Sequence, residues 1–218
     1  MASTSEIRRR IGSVRQTQKI THAMYLISQA KLRKAKQELD NTRPYFQALQ
    51  NEVGRVFNTD STVESRYLMP LNDNEKPLPS VAACLLITAD KGLAGAYNQN
   101  AIRQAQQLLR QHEGASLYVV GEYGRRWFAQ RGVPIEKSFL YTAQNPTLRR
   151  ARQIAELLLE RFDNGEINEV WVVYTDMKNG LEAVVRQAQL LPLHRERFAA
   201  ATAETAGDKV YEFVPSPG

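Results

Sequence analysis

Residues 13–39 read SVRQTQKITHAMYLISQAKLRKAKQEL, and the period of this run decides the fold. It holds no glycine or proline, the residues that most often end a helix, and is rich in Ala, Leu, Gln, Lys and Arg, which favour one. Steps of alternately four and three residues from Ile7 land on Ile7, Ile11, Val14, Gln18, Thr21, Tyr25, Ser28, Leu32, Ala35, Leu39, Thr42, Phe46, Leu49, Val53 and Val56. Eleven of these fifteen positions are apolar and none is charged. That is the heptad seam of a coiled coil, narrower than the stripe a helix lays on a globular core, so it calls for another helix as its partner. Four polar positions weaken the seam, three of them between Gln18 and Ser28. Pro44 lacks an N–H and its ring crowds the preceding turn, which predicts a kink or break near Asn41 to Arg43. A helix of this length would run roughly 80 Å. A compact body built from the remainder would be about 40 Å across, so the helix should project beyond it.

The charge on this helix is one-sided. From Ile7 to Gln37 there is no acidic residue, while Arg8, Arg9, Arg10, Arg15, Lys19, Lys31, Arg33, Lys34 and Lys36 all lie off the seam. Residues 1–57 hold 11 of the chain's 29 Lys and Arg but only 4 of its 23 Asp and Glu, so the first quarter carries the net charge of +6. A merely solvated helix face mixes signs. This one favours an acidic partner surface, and nucleic acid would also satisfy it.

Working outward, residues 58–80 are rich in Asn, Asp, Ser and Pro without a period and read as a linker. Residues 81–218 read as an α/β (Rossmann-like) domain. The apolar runs VAACLLIT (81–88), ASLYVVG (115–121) and INEVWVVYT (167–175) alternate with helical patterns at 98–112, 122–132 and 145–165. Continuous apolar strands between amphipathic helices predict a three-layer α/β domain with a mainly parallel sheet. Segments 184–193 and 209–215 look like edge strands. The longest apolar run free of charge, residues 77–89, is too short to span a bilayer, and the polar start is no secretory signal, although its arginines and serines weakly resemble a transit peptide. The single cysteine, Cys84, excludes an internal disulfide and reads as a buried small side chain.

Catalytic constellations are sparse. TADKGLAGAYNQN (88–100) follows a strand and precedes a helix, where α/β folds often bind phosphate, but its GxxG pair, Gly92 and Gly95, is neither a dinucleotide nor a P-loop pattern. Asp90 and Lys91 could be surface residues, a partner contact or an acid/base pair. His22, His112 and His194 are far apart and none has a Cys or carboxylate at ligand spacing. Trp127, Phe128 and Trp171 sit in apolar periods and read as core.

EIRRRIGSVRQTQKITHAMYLISQAKLRKA (6–35) resembles the opening helix of the gamma subunit of F-type ATP synthase, with its pattern I-x-S-V-x-x-T-Q-K-I-T-x-A-M. ITADKGLAGAYNQN resembles that family's [ST]-D-[KR]-G-L-C-G-x-x-N loop, with Ala89 and Ala94 as departures, and QLLPL and YEFVPSP follow in the family's order. The resemblance implies a non-catalytic rotor shaft, without cofactor or metal, at the cytoplasmic face of a bacterial cell membrane. Its partners would be the α and β subunits in a hexameric ring, the epsilon subunit and the c-ring, with membrane contact only through the complex and no nucleic acid. It makes Lys19, Thr21, Met24, Lys31, Arg33 and Lys34 bearing contacts. Asp90, Lys91, Gly92, Leu93, Gly95 and Asn98 become interface or structural positions of the first loop of the α/β domain. The family continues past the YEFVPSP segment into a long C-terminal helix, whereas this sequence stops at Gly218, so the seam's expected partner helix lies outside it.

Overall fold

The computed structural model describes residues 3–59, 65–68, 81–140, 142–178, 182–194 and 198. They fall in two compact units, one containing the N-terminal helix and the other residues 62–195.

In the first unit, α1 (Thr4–Thr59) is one continuous helix of 56 residues. Of the kink or break expected near Asn41 to Arg43, the break does not occur, and Pro44 lies inside the helix. Proline removes one donor, so the carbonyl of Asp40 loses its partner, but on an exposed helix water can take that place. The seam is exposed from Ile7 to Leu49, where Ile7, Ile11, Val14, Tyr25, Leu32, Leu39, Phe46 and Leu49 all present large apolar surface, and half-buried at Val53 and Val56. Two of its four polar positions are less disruptive than they look. Thr21 Oγ1 donates to the Thr17 carbonyl at 2.9 Å and Thr42 Oγ1 to the Glu38 carbonyl at 2.8 Å. Each hydroxyl spends its hydrogen on its own helix and asks none of a partner.

The second unit is a five-stranded sheet with helices on both faces. Its elements are β1 (Ala82–Ile87), α2 (Tyr97–Gln111), β2 (Ser116–Val120), α3 (Glu122–Ala129), β3 (Lys137–Phe139), α4 (Leu148–Asp163), β4 (Glu169–Met177) and β5 (Ala183–Leu191). The strand order is β3-β2-β1-β4-β5, parallel except for β5, which pairs antiparallel with β4 and forms an edge, as expected of residues 184–193. β3 escapes a reading of the sequence because three residues, KSF, are too few to show a period. Segment 209–215 lies outside the described residues.

Side chains alternate across the sheet, as strand geometry requires. Cys84 and Leu86 of β1, Leu117 and Val119 of β2 and Val173 of β4 pack against Ala101, Ile102, Ala105 and Leu108 of α2 and Phe128 of α3. Ala83, Leu85, Tyr118, Val120, Val170 and Val172 point the other way, onto Ile154 and Leu158 of α4. These two cores make the three layers. Burial pushes the Cys84 thiol up to about 12, which removes the thiolate a nucleophile needs. Phe128 is buried and Trp171 half-buried, as expected of core residues, and Trp127 lies beneath the Arg131 guanidinium at 3.8 Å.

Within the stretch read as a linker, residues 65–68 are fastened to the sheet unit. Tyr67 donates its hydroxyl hydrogen to Asp163 Oδ1 at 2.8 Å, and Leu68 is buried and bridges to Leu193.

Replacing Phe128 by Ala empties a ring-sized space beneath α3. The expected loss of stability is about 3–5 kcal/mol, measurable as a lower urea midpoint for the cooperative unfolding of the sheet unit.

Candidate functional site

The sheet order reverses at β1, whose neighbours β2 and β4 are reached by crossovers on opposite faces, so the carboxyl end of β1 is the switch point where open α/β folds place ligands. What stands there is a loop held by its own side chains.

The loop starts from a close approach. Gly121, between β2 and α3, has φ of +96°, and a Cβ there would lie 2.2 Å from the Thr88 carbonyl oxygen; one on Gly124 would lie 2.8 Å from Thr88 Oγ1. Only glycine fits Gly121. Thr88 Oγ1 donates to the Val120 carbonyl at 2.9 Å and accepts from the Gly124 N–H at 3.1 Å, so one buried hydroxyl joins β1 to β2 and α3. One residue on, the Ala89 carbonyl accepts the Tyr123 N–H and the Ala89 N–H donates to Asn98 Oδ1 at 2.9 Å. Asp90 Oδ1 accepts the Glu122 N–H at 2.9 Å, placing negative charge at the start of α3, where unpaired N–H groups and the helix dipole favour it. Asn98 is only 3% exposed and also donates from Nδ2 to the Lys91 carbonyl at 3.2 Å.

The sequence readings divide accordingly. Asn98 and Asp90 are framework groups, one tying the loop to α2 and the other capping α3. Among the described residues no hydrogen bond or ion pair joins Asp90 to Lys91, so the geometry makes no acid/base pair of them. Of the GxxG glycines, Gly92 lies against the ring of Tyr123 and Gly95 supplies a positive φ of +55°. Lys91, Gly92, Leu93 and Gly95 form the exposed tip. Thr88, Gly121, Glu122, Tyr123 and Gly124 complete the site and were not singled out in the sequence. The signal that could have found the glycines is VVGEYG (119–124), a second GxxG at a strand-to-helix turn.

Glu122 is the strongest electrostatic feature. Its carboxylate accepts from Arg125 Nε at 2.6 Å and Nη2 at 2.7 Å and from Arg126 Nε at 2.7 Å. The bonds from Arg125, then those from Arg126, hold it down to about 2. The three histidines go to separate places: His22 stacks on Tyr25, His112 Nδ1 lies 3.6 Å from Glu169 Oε2, and His194 Nε2 lies 2.7 Å from Gln189 Oε1. Among the described residues no three His, Cys, Asp or Glu side chains gather as a metal would need.

The remaining site residues lie on α1 and are all exposed. By helical spacing, Thr21, Met24 and Lys31 share one side, with Lys19 and Arg33 on the opposite one. Lys34 pairs loosely with Glu38 at 3.9 Å. Among the described residues no helix is long and apolar enough to cross a membrane.

These features define a class: a three-layer α/β protein bearing a long basic helix with an apolar seam, whose loop after β1 is braced by its own side chains and displays its tip outward. Comparison with known proteins then makes the class specific. The family described as ATP synthase matches residues 3–218. The ATP synthase gamma chain of Caldanaerobacter subterraneus subsp. tengcongensis is 44% identical over 97% of this chain and 74% of its own length. That of Moorella thermoacetica is 39% identical over 100% of this chain and 73% of its own. Among solved structures, a chain of the Tetrahymena thermophila mitochondrial ATP synthase central stalk and c-ring aligns with a TM-score of 0.46 at 22% identity, covering 75% of this chain and 77% of that one, too loose a likeness to equate the two folds. The chain belongs to the ATP synthase gamma family, the non-catalytic central-stalk subunit of an enzyme whose catalytic sites are on β. Family membership accounts for the basic helix without nucleic acid.

The Glu122 cluster has a defined pH signature. Its folded value of about 2 lies below the ordinary 4.5, so its contribution is present above about 4.5 and disappears as the pH falls toward 2. Glu122→Gln should lower stability at pH 7 by about 0.5–1 kcal/mol and flatten the decline across that window, read from urea unfolding at stepped pH.

Proposed function

We propose that the chain acts as the rotor shaft of an ATP synthase, with α1 held within a ring of α and β subunits and the α/β unit meeting epsilon and the c-ring at the cytoplasmic face of the cell membrane. Ion flow through the membrane sector turns the shaft, and its asymmetry drives the β sites in turn through binding, synthesis and release. The observation that carries this reading is an exposed helix without one acidic residue from Ile7 to Gln37, combined with an exposed apolar seam.

The physical logic is that of a bearing. Exposed Lys and Arg side chains are long and mobile, and each ionic contact in water contributes at most about 1 kcal/mol. Lys19, Lys31, Arg33 and Lys34 can therefore pass from one carboxylate to the next without a deep energy well at any angle. Thr21 and Met24 add short, non-ionic contact. The seam, to which Thr21 itself belongs, takes a second helix that stiffens the shaft. The exposed loop tip from Lys91 to Gly95 is the partner surface of the α/β unit.

Arg33→Glu together with Lys34→Glu reverses the charge of the helix face without touching the seam. Assembled with α and β chains of its own host, the unsubstituted chain should be retained at low salt and lost progressively as salt rises. The double variant should be retained about tenfold less at low salt, measured by size-exclusion co-elution. Equal retention of both would refute the basic-face reading, and preferential capture by DNA would replace it.

A further inference from the structure

Arg66, Tyr67 and Leu68 are consecutive in the chain, and the sheet unit holds each of them in a different way. Leu68 is only 8% exposed and forms a single parallel bridge with Leu193, whose N–H donates to the Tyr67 carbonyl at 2.7 Å. Tyr67 donates its hydroxyl hydrogen to Asp163 Oδ1 at 2.8 Å, and its ring stacks on Phe162 with centroids 6.0 Å and planes 21° apart. Arg66 donates from Nη1 to the Asp163 carbonyl at 3.3 Å. Asp163 is the last residue of α4, so a cation stands where the helix end leaves carbonyls unbonded. A connection that only has to cover distance needs none of these contacts, because ordering each residue costs conformational entropy.

The two anchor points are far apart in the chain but converge on one strand. Asp163 ends the helix that leads into β4, and Leu193 follows β5, which pairs with β4. The three residues are thus tied to the elements before and after β4, not to β1, the strand they precede. Their effect is on reach. Helix α1 ends at Thr59 and β1 begins at Ala82. Held only at β1, the chain leaving α1 could extend over residues 60–81, about 75 Å at full stretch; held at Arg66 it has residues 60–65, about 20 Å. A long tether takes up rotation in its own soft dihedral angles, two for each residue, whereas a short one has few in which to lose it.

We propose that residues 66–68 are a strap that sets where the sheet unit grips the chain leaving α1, so that the turning of that unit reaches the helix through about six residues instead of about twenty-two. The inference rests on the rotor-shaft reading and adds which residues pass the torque. Tyr67 and Leu68 are positioning residues, held by α4 and by Leu193 within their own chain.

The test places nitroxide labels at Asn51→Cys and Glu156→Cys, both exposed positions, in the full chain; Cys84 is buried and stays unlabelled. Tyr67→Phe combined with Leu68→Ala should broaden the distribution of label distances about twofold, the square-root ratio of the two tether lengths. Asp163→Asn, which keeps an acceptor for the Tyr67 hydroxyl, should retain the narrow distribution, whereas Asp163→Leu should broaden it. In the ATP synthase assembled from the chains of its host, the double variant should still hydrolyse ATP but move fewer ions for each ATP. Equal breadth in the unsubstituted chain and the double variant overturns the strap and leaves the shaft reading standing. A broader distribution with ions moved per ATP unchanged overturns its part in passing torque. Failure of the unsubstituted chain to assemble strikes the shaft reading and the torque role together.

Discussion

The α/β unit depends on how closely Thr88 can approach Gly121 and Gly124. With no Cβ at Gly121, the carbonyl of Thr88 and the start of α3 share space that any other residue would fill. From that contact the rest of the switch point follows. The Thr88 hydroxyl joins β1 to β2 and α3, Ala89 joins α3 and α2 through its two backbone groups, and Asp90 is left in position to cap α3. These bonds brace the loop after β1 from within. The consequence is mechanical: the crevice becomes a rigid mount, and the loop tip becomes the part that faces outward.

The two units are stabilised in different ways. The sheet unit buries its own core on both faces, each large side chain removed from water contributing about 1.5–3 kcal/mol. The long helix α1 leaves its seam exposed, and exposed helices depend on propensity and partners. Its threonines bond to their own backbone, its cations find few carboxylates nearby, and Pro44 is accommodated without a break. All three are compatible with a helix whose surface contacts are made to other chains. A gamma-family shaft needs this division, because a part that turns within a complex has to hold its own shape at one end and depend on its neighbours along the other.

Much of this was legible beforehand. The long helix, the one-sided charge, the alternation of strands with helices and the edge position of residues 184–193 all follow from spacing, and spacing is a property of neighbouring residues. The family itself was legible in QTQKITHAM and ADKGLAG. Elsewhere the local signal misled or fell silent. Pro44 suggested a break because propensity counts the lost hydrogen bond but not the water that can replace it. β3 has too few residues to carry a period, and Tyr67 and Leu68 sit in a stretch whose composition reads as linker although they are fastened to Asp163 and Leu193.

By itself, then, the sequence determined the elements, their order and the need of the long helix for partners, since each of these is written in periods of two, three and a half or four residues. Tertiary structure alone decided what the chosen residues do. Asp90 became a helix cap, Asn98 a tie between loop and helix, and Leu93 part of an exposed tip. Those roles come from groups some 30 residues apart, such as Thr88 with Val120 and Gly124 and Asp90 with Glu122, brought within hydrogen-bond range by the pairing of β1 with β2. No local pattern encodes such a distance, because it is the result of packing the whole sheet.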